Sequence, residues 1–198
     1  MSKNLINNPR VKIKVKKGSK TVSSRRWLER QLNDPYVAAA KKDGYRSRSA
    51  YKLIELNEKF NFFKKGQSVV DLGSAPGGWS QVALEFVGAS NKGKIVSIDI
   101  QDIEPIEGVI FINGSIMDEE IIDTIRRNLK TKADIVISDM APYASGHKST
   151  DQTRSLLLAE LALDAAISLL SWLSPGDNIL IKGSRKLELE KVLDHLNQ

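Results

Sequence analysis

Apolar residues along this chain follow two periods. From about residue 68 to 182, short runs rich in Val and Ile alternate with longer stretches whose apolar positions fall three and four apart. The short runs predict strands at about 68–71, 94–99, 109–112, 134–138 and 178–182. The longer stretches predict helices at about 78–88, 118–129, 152–172 and 186–196, and the connection between 99 and 109 reads as a loop. Alternation of this kind implies an α/β fold, a mostly parallel sheet with helices on both faces. Ligands in such sheets bind beyond the carboxyl ends of the strands. Upstream, Ser23 or Ser24 is placed to cap a helix carrying Trp27, Leu28 and Leu32. A second helical stretch runs from Tyr36 to Lys42 and ends at Gly44. A third, from about Ser47 to Phe60, carries Ala50, Leu53, Leu56 and Phe60 at helical spacing. Residues 1–22 are Lys-rich and broken by Asn, Pro and Gly, which predicts a disordered basic tail before a single domain over 23–198.

The run Ser68 to Phe86, SVVDLGSAPGGWSQVALEF, changes this outline into a site. A strand ends in an acid, Asp71; a loop with Gly73, Pro76, Gly77 and Gly78 follows, and a helix opens with Trp79. Glycines clustered between strand and helix let backbone N–H groups come close to a ligand that side chains would block. The pattern differs from the dinucleotide G-x-G-x-x-G and lacks the Gly-Lys-Ser/Thr of a phosphate loop. An acid at the strand tip suits a cationic or amine-bearing ligand better than a pyrophosphate. S-adenosylmethionine, with its sulfonium and amino groups, is such a ligand.

Charge adds a partner. Residues 1–65 hold 18 Lys and Arg against 5 Asp and Glu, a balance of +13, while the remainder carries −7. A basic N-terminal third on a mildly acidic body is an electrostatic footprint for a polyanion. The tail VKIKVKKGSK has no aromatic anchors and no sustained apolar helical face, which argues against a membrane surface. No apolar run approaches the roughly 20 residues of a membrane span, and no signal peptide is visible, so a cytoplasmic location is expected. The absence of cysteine excludes disulfides and thiolate metal sites, and no metal is expected.

Several polar residues fall at predicted strand ends, where chemistry is expected. Asp99 ends KIVSID, and an acid there can accept both hydroxyls of a ribose. Ser115, after FING, is placed toward the adenine end; Asp118 reads as the cap or first-turn acid of the next helix. Asp139 ends IVISD, and a carboxylate there is costly to bury without a cation. Lys182 closes the apolar strand NILIK; on its own it reads equally well as a snorkelling strand-end lysine. Lys52 borders the apolar stripe of the third helix, beside Arg48, and Arg46 and Arg48 read as phosphate contacts.

The stretches SSRRWLERQLNDPYV, GYRSRSAYKL, VVDLGSAPGGWSQVA, EPIEGV, DIVISDMAP and RSLLLAELAL occur in this order over about residues 21–182. Together they resemble the FtsJ/RrmJ (RlmE-type) family of ribosomal RNA 2′-O-methyltransferases. The resemblance implies a Rossmann-like S-adenosylmethionine fold. It also implies methylation of a uridine 2′-hydroxyl in the 23S rRNA of the large ribosomal subunit; a monomer is expected. Carried across by motif, cofactor contacts fall on Gly77, Trp79, Asp99, Ser115 and Asp139, and catalysis on Lys182, assisted by Lys52 and Asp139. A ribose hydroxyl needs its proton removed, whereas a sulfonium methyl needs no activation. Lys182 would then be the base, Lys52 the second ammonium that lowers its pKa, and Asp139 the group that orients it. Two departures stand out: Ser115 replaces the family's usual acid, and after Lys182 the chain runs through Gly183-Ser-Arg-Lys directly into a helix. The family's final hairpin and catalytic glutamate are therefore not expected here, and the domain reads as C-terminally shortened. Methylation of another RNA (tRNA or a cap) and non-catalytic ribosome assembly are the alternative readings; the basic third disfavours a small-molecule substrate.

Overall fold

The computed structural model describes Lys14 and residues 22–88, 93–142 and 145–170. The chain divides into two compact units between Asn61 and Phe62. The N-terminal unit holds three helices, α1 (Val22–Asn33), α2 (Pro35–Asp43) and α3 (Ala50–Phe60). Ser23 and Ser24 lie inside the first turn of α1, not at its cap. Asp34 caps α2, its side chain accepting from Tyr36 N at 2.9 Å, with Pro35 in the first turn. Gly44, at φ 82°, ends α2 in the left-handed conformation that favours glycine. Asp34 also pairs with Arg48, and Tyr51 donates its hydroxyl to Asp43 while its ring lies 5.5 Å from Tyr36 and 5.7 Å from Tyr45. On α3, Ala50, Leu53 and Asn57 are buried and Lys52 is half-buried. Phe60, expected on the apolar stripe, is exposed, with the Lys59 ammonium 5.0 Å from its ring centroid.

The second unit is built on a parallel sheet of order β3-β2-β1-β4, from β1 (Val69–Leu72), β2 (Ile95–Asp99), β3 (Val109–Asn113) and β4 (Ile135–Ser138). Helices α4 (Gly78–Val87), α5 (Glu119–Leu129) and α6 (Lys148–Leu169) cover it. Strand bounds follow the Val/Ile runs because a central parallel strand is buried on both faces. One face, Val70, Leu72, Val96 and Ile98, packs against Ile125 and Leu129 of α5 and Ala165 and Leu169 of α6. The opposite parity, Val69, Asp71, Ile95 and Ser97, faces α4, whose Val82, Ala83 and Val87 are buried. The start of β4 is pinned to β1: Ser68 O accepts from Asp134 N and Ile135 N, and the Asp134 carboxylate accepts from Ser68 N at 2.6 Å.

Several boundaries differ from the sequence reading: α3 begins at Ala50 and not at Ser47, and two further differences bear on the site. β1 continues through Leu72, so Asp71 sits within the strand and not at its tip. α6 begins at Lys148, four residues before its expected start, because Asp151 in its first turn accepts from both the N–H and the hydroxyl of Ser145. Asp118 is the N-cap of α5, as expected, though its side chain makes no capping bond. The expected strand 178–182 and helix 186–196, with Lys182, lie outside the described residues, as does most of the expected tail. Among the described residues no helix is long and apolar enough to cross a membrane.

Candidate cofactor and active site

The carboxyl ends of the four strands carry the candidate site, and its frame is the loop Gly73–Gly77 between β1 and α4. Gly73 N and Ser74 N both donate to Ile98 O, at 2.9 and 3.0 Å, and Ala75 N donates to the Asp99 carboxylate at 2.8 Å. The other oxygen of Asp99 accepts from Gln101 N at 2.8 Å. Each carboxylate oxygen retains a further lone pair, so Asp99 can still accept ligand hydroxyls while fixing the loop. The Ala75–Pro76 bond is cis, and Gly77, at φ 105°, opens α4 without a side-chain cap. The positive end of the α4 dipole is therefore presented by the loop itself. Trp79, in the first turn of α4, is buried.

Gly73 is required twice over. Its φ is +74°, and a Cβ built on it would lie 2.1 Å from Met140 Cγ. Met140 follows Asp139, so the loop beyond β4 packs directly onto the loop beyond β1.

Asp71 is the buried acid of the site, 1% exposed. Ser80 Oγ donates to its carboxylate at 2.6 Å, and the Ser80 backbone adds a second hydrogen bond. Burial pushes its pKa up to about 7; the Ser80 bonds oppose that rise, and the carboxylates of Asp139 and Asp99 reinforce it. Two more buried hydroxyls near this end, Ser74 Oγ in the loop and Ser97 Oγ in β2, have no hydrogen-bond partner.

Toward β3, Ser115 Oγ accepts from Met117 N at 3.2 Å, and Asn113 donates to the carbonyls of Asp99 and Ile100. A Cβ on Gly114 would lie 2.5 Å from Ile121 Cδ1, so the end of the Ile121 side chain would have to shift to admit one. Ile100 and Met117, 64% and 70% exposed, give this end of the rim an apolar border that sequence reasoning did not identify. The only signal for them was their position directly after Asp99 and Ser115.

Thus Gly77, Trp79, Asp99, Ser115 and Asp139 all lie at the carboxyl end of one sheet. Lys52 belongs to α3 of the N-terminal unit, and Lys182 lies outside the described residues. Among the described residues no group of His, Cys, Asp and Glu could hold a metal ion. The donor set fits a cationic nucleoside cofactor: carboxylates for hydroxyls and positive charge, a helix N-terminus for a carboxylate, and an unpartnered Ser74 hydroxyl in the loop.

A parallel sheet with a glycine loop after its first strand and an acid ending its second defines a Rossmann-like α/β domain with its candidate site at the carboxyl ends of the strands. Residues 45–198 match the model of the FtsJ-like methyltransferase family, and the chain belongs to that family. It is 48% identical over 176 residues to the ribosomal RNA large subunit methyltransferase E of Brucella ovis, covering 88% of this chain and 72% of that one. The protein of the same name from Brucella canis is similar to the same degree. Among solved structures, a Plasmodium falciparum protein described as a ribosomal RNA methyltransferase superposes with a TM-score of 0.60 at 34% identity. That match covers 76% of this chain and 86% of the other.

Two outcomes are expected. Gly73→Ala lowers the urea midpoint, and adding Met140→Ala restores part of the loss; equal midpoints for single and double variants would contradict the packing. An acid with a raised folded-state pKa contributes its full stability below its unfolded value and loses it as pH rises toward the folded value. Wild-type stability to urea therefore falls between pH 5 and 8 by on the order of 2 kcal/mol more than that of Asp71→Asn.

Proposed function

We propose that the protein transfers the methyl group of S-adenosylmethionine to the 2′-hydroxyl of a uridine ribose in the 23S rRNA of the large ribosomal subunit. It would act as a cytoplasmic monomer. The observation that carries this reading is the Asp99-fastened glycine loop in a chain 48% identical to a ribosomal RNA large subunit methyltransferase E. The basic N-terminal third supports a polyanionic substrate.

In this reading Asp99 accepts the cofactor's ribose hydroxyls without releasing Ala75, and Gly77 and Trp79 at the start of α4 receive its carboxylate. Ser115, Ile100 and Met117 border the adenine. The cofactor supplies an electrophilic methyl group. The chain's task is then to align the ribose hydroxyl and remove its proton. The motif correspondence assigns the base to Lys182, with Lys52 favouring its neutral form and Asp139 orienting it. Arg46 and Arg48 would contact RNA phosphates.

The test is to incubate the protein with labelled S-adenosylmethionine and undermethylated large subunits, free rRNA and tRNA, then map the methyl group. Label is expected at one uridine 2′-oxygen of the subunit; label confined to tRNA, or cofactor binding without turnover, overturns the reading. Lys182→Ala is expected to lose roughly 100-fold or more in turnover with cofactor affinity unchanged. Asp99→Ala is expected to weaken cofactor binding by roughly 10-fold or more.

A further inference from the structure

Asp71 is the one fully buried carboxyl among the described residues, and the transfer chemistry above does not use it. It lies on the α4 side of β1. Its register partners are Ser97 on β2, whose buried hydroxyl is unpartnered, and Ile137 on β4. From α4, the hydroxyl and amide of Ser80 donate to it. Among the described residues, the charges that reach it are those of two carboxylates, Asp99 at the end of β2 and Asp139 beyond β4. Burial is the main influence against its ionisation and the two carboxylates add to it, so that its pKa is raised to about 7 despite the Ser80 bonds.

A methyl donor with a sulfonium brings one positive charge to the carboxyl end of the sheet, where these three acids lie, and its thioether product brings none. A cation entering the site favours the ionised form of the buried acid. Resting on the cofactor reading above, we propose that Asp71 is a positioning residue that reads the charge on the cofactor's sulfur, losing its proton to solvent when the sulfonium donor binds and regaining it when the thioether product replaces the donor. Only this proton moves; no other bond changes on binding. The ionised carboxylate holds both donors of Ser80 more strongly than the neutral acid, drawing the first turn of α4 onto β1 when the donor is bound. The donor is then retained over the product increasingly as pH rises.

The test measures equilibrium binding of S-adenosylmethionine and S-adenosylhomocysteine by calorimetry from pH 6 to 7.5, in buffers of different ionisation enthalpy. Wild type is expected to release a fraction of a proton on binding the donor, and its donor-over-product preference to rise about 5-fold across the range. Asp71→Asn is expected to lose both effects. Titration of the ligand's amino group is common to both proteins, so their difference isolates Asp71. Ser80→Ala keeps the acid but removes a bond that favours its ionisation, so the midpoint of the pH dependence should move upward. A preference independent of pH with no proton exchange, or an unshifted midpoint in Ser80→Ala, overturns the inference and leaves the cofactor reading standing. Binding of neither ligand at any pH overturns both.

Discussion

Three consecutive amides of the glycine loop give their protons to one strand end, Gly73 and Ser74 to the carbonyl of Ile98 and Ala75 to the carboxylate of Asp99. With those bonds made, the path from β1 into α4 has little freedom left, and Gly77 completes it in a left-handed conformation. The helix dipole is thereby aimed outward, and the acid that fixes the loop stands beside it. A bond to an ionised acceptor contributes about 1.5–3 kcal/mol, so the frame is stiff before any ligand arrives. The arrangement makes Asp99 a structural tie that keeps acceptor capacity on both carboxylate oxygens.

The two faces of the sheet divide the work. Against α5 and α6 the sheet packs through an apolar cluster, with Val70, Leu72, Val96 and Ile98 at the centre. Against α4 the same strands bury Asp71 and Ser97 next to the carboxyl end. Buried polar groups cost free energy unless they are hydrogen-bonded, and Ser97 is not. The fold tolerates that cost on one face because the other supplies a continuous core. Polar groups held in fixed directions toward the carboxyl end of the sheet are what the exchange provides.

The parallel sheet was legible because buried strands must be written as Val/Ile runs, and Asp99 because it closes such a run at KIVSID. Asp71 was misjudged as a tip residue: Leu72 looks like the start of the loop but is the last residue of β1, wholly buried. The start of α6 was missed because Asp151, a residue inside the helix, reaches back to Ser145 to define it. Phe60 followed the periodicity of α3 yet remains exposed, since spacing names a face without saying how far that face is covered. The bond from Ala75 to Asp99 and the seat of Met140 against Gly73 join residues distant in sequence, and no local pattern encodes them.

That last contact also sets an order of assembly. The loop after β1 has its hydrogen bonds once β2 is in place, but its outer side is Met140, which follows β4. A nascent chain can thus pair its first two strands early and still lack a closed cofactor loop. Non-local parallel pairing of this kind is slow, because the intervening chain must be ordered before the contact rewards it. The site is completed only after the chain as far as Met140 has been made and β4 has docked beside β1.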